Sequence, residues 1–419
     1  MSEIIRTDIC IVGGGPGGTA AALQLARRGV KAVLLDKAVF PRDKVCGDAL
    51  SGKVMRTLER LDPDLARTVT ADTRGLPSWG VTFIAPSGRA LRVPFSRHTG
   101  LGEAPGVIMP RLDFDALLFD KVNAAAGIDV FEGTSARSYT RTADGWSIAL
   151  EGRMKGTLES KLVLAADGAN SHFARHIAQL PMEPEHHAAG VRAYYCGVRD
   201  LEPNGFIELI FLKDLLPGYL WVFPLPNGRA NVGLGLRSDV VKKRRVDLKA
   251  LMTKLLAEHP QLRDRFRDAT LDGAIQGMGL PLASKRRPLS GDGYMLIGDA
   301  GHLIDPFTGE GISHAMISGV HAADVAIEAL TEGRADAAFL QAYDARVWKR
   351  LGKELAISTR LQSLADRAWL FDFVVDRANK NPALADTISC MFTDLDLRER
   401  LRKPGFYMDL VLGRAPAKA

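Results

Sequence analysis

Residues 7–18, TDICIVGGGPGG, hold an apolar run that breaks into closely spaced glycines. Short apolar runs of this kind are typical of a buried strand in a parallel sheet. The glycines follow the spacing G-x-G-x-x-G, with Gly13, Gly15 and Gly18 at the three fixed places. In that arrangement the first glycine permits a tight turn and the second permits close approach of a pyrophosphate. The third glycine lets the following helix pack against the strand.

The residues that follow complete a strand–turn–helix–strand unit. Residues 20–28 favour a helix, whose N-terminus would offer free N–H groups and a positive dipole end to phosphate. Gly29 ends this helix, and residues 31–35 form a second strand that leads into Asp36. An acidic residue at this place is positioned to accept hydrogen bonds from a ribose. The unit predicts a dinucleotide-binding domain; the alternative is a degenerate site that keeps only the fold.

Composition and charge limit the classes of function. The chain has 419 residues, of which 46% are hydrophobic and 25% charged, as is ordinary for a soluble globular protein of two or three domains. The net charge is +6, and the basic run at residues 242–245 is typical of a solvated helix face. We therefore expect no nucleic-acid partner. Peripheral contact with an anionic membrane surface is the more plausible use of the positive charge.

The cysteines and the start of the chain bear on location. Four cysteines lie far apart without metal-ligand spacing: Cys10, Cys46, Cys196 and Cys390. This usage favours a reducing cytoplasm and predicts no metal site. The first strand begins too early to leave room for a signal peptide, and no apolar run is long enough to span a bilayer. We therefore expect a cytoplasmic protein, in peripheral contact with the membrane at most.

The remaining patterns predict an α/β fold, α+β overall. Buried strands that end in Asp167-Gly168 and Gly298-Asp299 belong with the front unit, whereas residues 192–236 alternate like an antiparallel sheet. The predicted parts are a discontinuous Rossmann-type nucleotide-binding domain (1–75, 105–180 and 271–335), an inserted antiparallel-sheet substrate domain (76–104 and 181–270) and a C-terminal helical region (336–419).

Four further motifs lie at strand ends or in loops. They are Asp167-Gly168-Ala169-Asn170-Ser171, Gly298-Asp299-Ala300-Gly301-His302, Gly309-Glu310-Gly311, and Tyr219-Leu220-Trp221-Val222-Phe223-Pro224. With the front unit, the first three make the chain resemble the single-Rossmann flavoproteins of the para-hydroxybenzoate hydroxylase type. The fourth is similar to the Y-x-W-x-F-P strand of the geranylgeranyl reductases. The loop containing Lys44-Val45-Cys46-Gly47 is also similar to the flavin-side loop of that family.

The resemblance implies FAD as the cofactor, with Asp299 holding its ribityl chain. It also implies that the helix beginning at Gly309-Glu310-Gly311 points its N-terminus at the pyrimidine end of the flavin, where a helix dipole stabilises the reduced form. Arg111 resembles an FAD-contacting arginine of the family. The full set of implied cofactor-binding residues is Gly13, Gly15, Pro16, Gly17, Gly18, Asp36, Lys37, Arg42, Lys44, Cys46, Gly47, Arg111, Ala136, Asp167, Gly168, Gly298, Asp299, Pro306, Gly309, Gly311 and Ile312.

Three aromatic residues are the predicted substrate contacts. Tyr219, Trp221 and Phe223 alternate along a strand, so they project from one face and form an apolar wall suited to a long hydrocarbon. The alternative is a plain sheet core. The resemblance makes Cys46, Tyr219 and Trp221 the candidate catalytic residues, with Cys46, Asp48 and Tyr219 as candidate proton donors. A lone cysteine such as Cys46 can also be inert packing.

The resemblance implies an FAD-dependent oxidoreductase that reduces carbon–carbon double bonds of a prenyl lipid of the geranylgeranyl type. Two alternatives share the scaffold: an FAD monooxygenase or halogenase acting on an apolar or aromatic substrate, and a prenyl-binding escort protein without activity. The sequence has no second G-x-G-x-x-G for a nicotinamide domain. The electron donor is therefore either transiently bound NADPH or a reduced ferredoxin-type protein. The sequence does not indicate the oligomeric state.

Overall fold

The computed structural model describes residues 4–95 and 104–381. The strands are β1 (Ile4–Val12), β2 (Ala32–Asp36), β3 (Ala49–Leu50), β4 (Leu76–Ser78), β5 (Gly80–Ile84), β6 (Ala90–Pro94), β7 (Gly106–Ile108), β8 (Ile128–Glu132), β9 (Thr134–Thr142), β10 (Gly145–Gly152), β11 (Gly156–Ala165), β12 (His187–Cys196), β13 (Phe206–Ile210), β14 (Tyr219–Leu225), β15 (Arg229–Arg237), β16 (Thr270–Pro281), β17 (Ser290–Gly291) and β18 (Tyr294–Leu296). The helices are α1 (Pro16–Arg27), α2 (Gly52–Leu61), α3 (Pro63–Ala71), α4 (Arg111–Asn123), α5 (His172–His176), α6 (Ser238–Arg244), α7 (Leu248–Glu258), α8 (Arg263–Phe266), α9 (Ile312–Glu332), α10 (Ala337–Leu364) and α11 (Ala368–Lys380).

The first sheet has a parallel core in the order β18-β11-β1-β2-β8. Strand β1 lies at its centre, with Cys10 opposite Val163 on one side and Val33 on the other. The apolar run of β1 is buried, as expected for a parallel strand covered on both faces. The hairpin β9–β10 extends this sheet by antiparallel pairing with β11, and helices α1 and α9 pack together against the sheet.

The second sheet has seven strands in the order β16-β12-β15-β14-β13-β5-β6. Its neighbouring strands are antiparallel except β13 and β5, which are distant along the chain and run parallel. One face, including Val222 and Leu234, packs against α7 and α8. The opposite face carries Trp221 and Phe223. A small third sheet, in the order β3-β7-β4, contacts α2 and β14 of the second sheet.

The predicted fold class is confirmed, and one predicted boundary needs correction. The boundary at residue 271 assigns the next strand to the nucleotide-binding domain, whereas β16 pairs with β12 in the second sheet, from Thr270 opposite Cys196 to Pro281 opposite His187. The sequence of β16 indicates a strand but does not indicate which strand it pairs with. The chain returns to the first sheet only after this strand.

The described chain ends in two long helices. Helix α10 packs against α9, and α11 packs against β6. The part of the predicted C-terminal region that follows residue 381, including Cys390, lies outside the described residues. Within the described residues, no helix combines the length and the apolar character needed to cross a bilayer.

Candidate active site

One cavity of about 780 Å³ brings most of the predicted site residues together. It extends from the glycine turn after β1, past the loops at residues 42–51 and 304–312, to the inner face of the second sheet. All the predicted cofactor-binding residues line it except Gly17, Gly18 and Gly298. The three aromatic residues of β14 line it as well. The sequence therefore identified a set of residues, distant along the chain, that share one cavity.

The glycine turn has the shape of a phosphate cradle. Gly13 has a φ of +109°, and a Cβ there would lie 2.3 Å from the carbonyl oxygen of Ala166. A Cβ on Gly18 would lie 1.8 Å from the Gly13 carbonyl oxygen, which explains the close approach of α1 to β1. A Cβ on Gly15 would have Nη2 of Arg42, at 3.6 Å, as its nearest neighbour, so the backbone there is open to a ligand. Helix α1 begins without a side-chain cap, which leaves its first N–H groups for phosphate oxygens.

Asp36 is held in a fixed orientation at the end of β2. Its Oδ2 accepts a hydrogen bond from the Gly14 N–H and its Oδ1 accepts one from the Ala38 N–H, both at 2.7 Å. A carboxylate has about four lone-pair sites, so acceptor capacity is left for a ribose diol. Ala136 and Arg137 of the β9 hairpin line the same end of the cavity. This end fits the adenosine part of a dinucleotide.

Three basic residues surround the middle of the cavity. Lys44 Nζ lies 2.9 Å from Asp299 Oδ2. Arg111 binds Asp115 through two hydrogen bonds of 2.6 Å, and Arg42 adds a third contact to Asp115 at 2.5 Å. Burial alone would raise the pKa of Asp115, but the guanidinium of Arg111 outweighs it and holds the pKa low. Asp115 therefore fixes both arginines.

Asp167 closes another side of the cavity. Its Oδ2 accepts the N–H groups of His172 and Phe173 at 2.9 and 3.4 Å. Its Oδ1 is buried without a protein partner, and burial raises the pKa of this carboxyl group. A buried acceptor of this kind at a cavity wall fits a polar group of a bound cofactor.

The uncapped N-terminus of α9 also lies at the cavity. Gly311 precedes the helix without a side-chain cap, and Ile312 and Ala315 of its first turn line the cavity. Gly309 has a φ of +73°, which lets the loop turn toward the helix. The free N–H groups and the helix dipole favour negative charge at this end. This is the placement expected for the pyrimidine end of a flavin.

A buried charge cluster supports the loop before α9. Glu310 accepts a hydrogen bond from Ser51 and lies 3.5 Å from Lys53 Nζ, which also pairs with Glu354 of α10. Burial alone would raise the pKa of Glu310, but Lys53 and His314 outweigh it and hold the pKa at about 2. Glu310, His314 and Glu354 place potential ligand atoms within 4.8 Å of one another. The Lys53 ammonium supplies the positive charge there.

The aromatic residues of β14 form the wall predicted from their alternation. The ring centroids of Tyr219 and Trp221 lie 6.2 Å apart, and those of Trp221 and Phe223 lie 6.4 Å apart. Gly47 touches this wall, since a Cβ there would lie 2.8 Å from Phe223 Cε2. Phe211 extends the wall, with its ring 5.7 Å from that of Tyr219. The Cys46 loop and the apolar wall therefore meet in the cavity.

The surroundings of Tyr219 argue against its predicted role as a proton donor. Its hydroxyl donates to the carbonyl oxygen of Thr308 at 2.5 Å. Burial raises the pKa of its phenol, with further contributions from Asp305 and Cys46. A phenol that is bound in this way releases its proton reluctantly. The hydrogen bond instead joins β14 to the loop that precedes α9.

Asn231, which was not among the predicted site residues, is the centre of a buried network. The Trp221 indole N–H donates to Asn231 Oδ1 at 2.9 Å. Asn231 Nδ2 donates to the Cys46 carbonyl oxygen and to Asp48 Oδ2, each at 2.7 Å. Tyr194 donates its hydroxyl hydrogen to the same Asp48 oxygen, also at 2.7 Å. Asn231 thus fixes the aromatic wall relative to the Cys46 loop; a lone polar residue among the apolar and glycine residues of β15 is the only sequence signal.

Asp48 and Cys46 both line the cavity but differ in their exposure. Asp48 has no exposed surface, and burial raises the pKa of its carboxyl group to about 6 against the lowering effect of Asn231, Tyr194 and Arg192. Cys46 is half-buried, lines the cavity and interacts with the guanidinium of Arg111. Of the predicted proton donors, Cys46 is therefore the one whose side chain is best placed to meet a ligand.

The comparisons with known proteins agree with this site. A family model described as an FAD binding domain matches residues 6–353, which is more than half of the chain. The chain therefore belongs to the FAD-binding-domain family and is an FAD-dependent oxidoreductase. Within this class, the resemblance to the geranylgeranyl reductases is confirmed by the relatives that follow.

The digeranylgeranylglycerophospholipid reductase below carries that resemblance, a menaquinone reductase is a further relative, and a solved structure at 23% identity shows the likeness of the fold. The menaquinone reductase of Mycolicibacterium smegmatis is 30% identical over 336 residues, which cover 76% of each chain. The digeranylgeranylglycerophospholipid reductase of Thermoplasma volcanium is 30% identical over 329 residues, covering 77% of this chain and 78% of that protein. The crystal structure of a geranylgeranyl bacteriochlorophyll reductase-like protein from Thermoplasma acidophilum has a TM-score of 0.80 at 23% identity. The match covers 96% of this chain and 99% of the chain in that crystal structure.

Proposed function

We propose that this protein reduces carbon–carbon double bonds of a prenyl lipid, with FAD bound between the glycine turn and the N-terminus of α9. The observation that carries the proposal is the contact between Gly47 and Phe223, which places the apolar wall beside the loop that carries Cys46. An isolated alkene is apolar, so a wall of aromatic rings can hold it without a hydrogen bond. The names of the relatives, reductases of a prenyl lipid and of menaquinone, support a lipid-soluble substrate.

Each part of the cavity has a distinct task in this proposal. Asp36 and the glycine turn hold the ribose and the pyrophosphate, and Asp299 holds the ribityl chain, with Lys44 beside it. Bound FAD in its reduced form supplies a hydride equivalent. The N-terminus of α9 stabilises negative charge at the pyrimidine end. Trp221, oriented by its hydrogen bond to Asn231, positions the alkene.

Cys46 is the proposed proton donor. Its thiol lies at the cavity surface beside Arg111, whereas the Asp48 carboxyl group has no exposed surface. A general acid must come within hydrogen-bond reach of the atom that it protonates, so access decides between these two groups. NADPH or a reduced ferredoxin-type protein is the proposed source of electrons.

The test is anaerobic. The purified protein is reduced chemically, geranylgeranyl acetate is added, and reoxidation of the flavin is followed together with the mass of the product. The expected result is flavin reoxidation with a gain of two hydrogens per reduced bond. Failure to reduce any prenyl substrate would contradict the proposal. Substrate oxygenation or halogenation after air is admitted, with an oxygenated flavin spectrum, would favour the monooxygenase or halogenase alternative.

The bound lipid gives an independent check. Lipids extracted from the purified protein should include a molecule with a polyprenyl chain. The polar groups of the apolar wall, the Tyr219 hydroxyl and the Trp221 indole N–H, already bind Thr308 and Asn231 and so do not select a small water-soluble compound. A colourless protein that carries a prenyl lipid would instead support the escort alternative.

A further inference from the structure

Strand β15 lacks side chains at two successive positions of its inner face. Its outward residues, including Val232, Leu234 and Leu236, are buried against the helices on the far side of the sheet. Its inward positions between Asn231 and Arg237 are both glycine, Gly233 and Gly235. Glycine weakens a strand interior, so two on one face indicate that something lies close to the backbone there.

The two glycines have different neighbours. A Cβ on Gly233 would lie 2.2 Å from Cζ2 of Trp221, so the indole ring occupies the space above this residue. A Cβ on Gly235 would have only the Ala189 carbonyl oxygen at 3.9 Å and Trp221 Cζ3 at 4.0 Å nearby. Gly235 lies directly opposite Gly190 of β12 and lines the cavity. The space above Gly235 is therefore open to a ligand.

This open strip, which we call the glycine trough, lies above Gly235 and ends at Gly190 of β12. There the side chains of Met278 and Leu280 of β16 fill the space, since a Cβ on Gly190 would lie 3.0 Å from Met278 Cε and 3.5 Å from Leu280 Cδ1. Gly190 pairs directly with Met278, so the trough runs from β15 toward β12 and is closed by side chains of β16. The sheet order places it on one side of β14, while Leu209 of β13 lines the cavity on the other side. The cavity thus extends in both directions from the aromatic wall.

The chemistry of the trough favours a hydrocarbon. Its floor consists of glycine backbone, and its far end carries the thioether of Met278 and the aliphatic side chain of Leu280. Arg237, at the cavity edge, binds Asp239 through hydrogen bonds of 2.7 and 2.8 Å. The Asp239 carboxylate therefore neutralises the charge of Arg237, and the residues of the trough provide no binding site for an anion.

We infer that the glycine trough holds the part of the prenyl chain beyond the double bond that is being reduced. Gly235 would then determine the length of chain that is accepted and the number of double bonds that are reduced. This inference rests on the proposed function. Such a chain would lie across β14, with one part on the aromatic wall and the other in the trough.

The test is a size series at one position: Gly235→Ala, Gly235→Val and Gly235→Leu. The backbone of Gly235 lies outside the left-handed region and its Cβ contacts would be ordinary, so these variants should fold. Each is assayed with geranyl and geranylgeranyl acetate, and the products are counted by mass spectrometry. Gly352→Leu, a substitution on α10 whose Cβ would lie 3.8 Å from Trp348, is the matched control outside the cavity.

The expected result is a graded loss confined to the long substrate. Gly235→Leu should lower geranylgeranyl turnover about tenfold or leave partly reduced products, because overfilled sites cost binding energy, while geranyl turnover and FAD content stay at wild-type values. A wild-type product distribution in Gly235→Leu would overturn the inference. So would equal loss of both substrates, since the trough would then be inseparable from the reacting site. If the wild-type protein reduces neither substrate, the proposed function itself fails.

Discussion

Asp48 should make this protein less stable as the pH rises from about 4 to about 6. Burial raises the pKa of the carboxyl group to about 6 in the folded protein, from an ordinary value of 3.8. Between these values the folded state binds a proton that the unfolded state has lost, so stability decreases as the pH increases. Below 3.8 the carboxyl group is protonated in both states, and above about 6 the decrease is complete.

The size of the effect follows from the two pKa values. At about 1.4 kcal/mol per pH unit, the difference between 3.8 and about 6 corresponds to about 3 kcal/mol of unfolding free energy. Asp48→Asn keeps the shape of the side chain and cannot titrate. The amide has one acceptor oxygen instead of two, and its NH2 group adds donors to a site where Asn231 and Tyr194 already donate. The Asp48→Asn protein should therefore be less stable than the wild type at low pH.

The measurement is urea unfolding of the FAD-loaded protein at several pH values between 4 and 8. Other buried carboxyl groups whose pKa is raised by burial, such as Asp344, titrate in both proteins and cancel in the difference. Asp64→Asn, at an exposed ion pair on α3, is the control and should leave the pH profile parallel to that of the wild type. If the Asp48→Asn profile is also parallel to the wild type, the buried network does not set the charge of Asp48 and our reasoning fails.

Three further substitutions test the site. Asp299→Ala should weaken FAD binding by about 1.5–3 kcal/mol, or about 10- to 150-fold in Kd, since it removes a charge-assisted hydrogen bond to the ribityl chain. A fluorescence titration of the apoprotein measures this change, and an unaltered Kd would contradict the placement of the cofactor. Trp221→Ala should impair prenyl turnover far more than FAD content; unchanged turnover would exclude a substrate contact, and an unfolded variant would indicate a core residue. Cys46→Ser should keep FAD and remain reducible yet lose most alkene reduction, because serine is a much weaker acid of similar size. Flavin reoxidation at the wild-type rate would show that Cys46 is structural.

The sequence could predict those parts of the site that are local along the chain. Gly13, Gly18 and Asp36 belong to one continuous βαβ unit, so their spacing alone specified the turn, the helix and the acid. The aromatic wall was predictable for the same reason, since Tyr219 and Trp221 lie two residues apart on one strand.

The contacts between distant segments could not be predicted in this way. Asn231 faces the Cys46 loop only because β14 and β15 pair with Phe223 opposite Asn231. The alternation of β15 assigns Asn231 to the face opposite Val232 and Leu234. No pattern in the sequence shows that the Cys46 loop, 185 residues earlier in the chain, lies against that face. The same lack of pairing information led to the wrong assignment of β16.

The charge cluster at Lys53 has a consequence for modularity. The family match ends at residue 353, yet Glu354, the next residue, pairs with Lys53 behind the loop at Glu310. Eight residues further along α10, Gln362 donates a hydrogen bond to the Pro306 carbonyl oxygen at 2.7 Å. The long helix therefore supports the loop that we propose to face the flavin. A nucleotide-binding unit that ends at residue 353, with the family match, would lack this support if it were moved into another protein. The cofactor site and the whole of α10 must therefore be kept together when this protein is engineered.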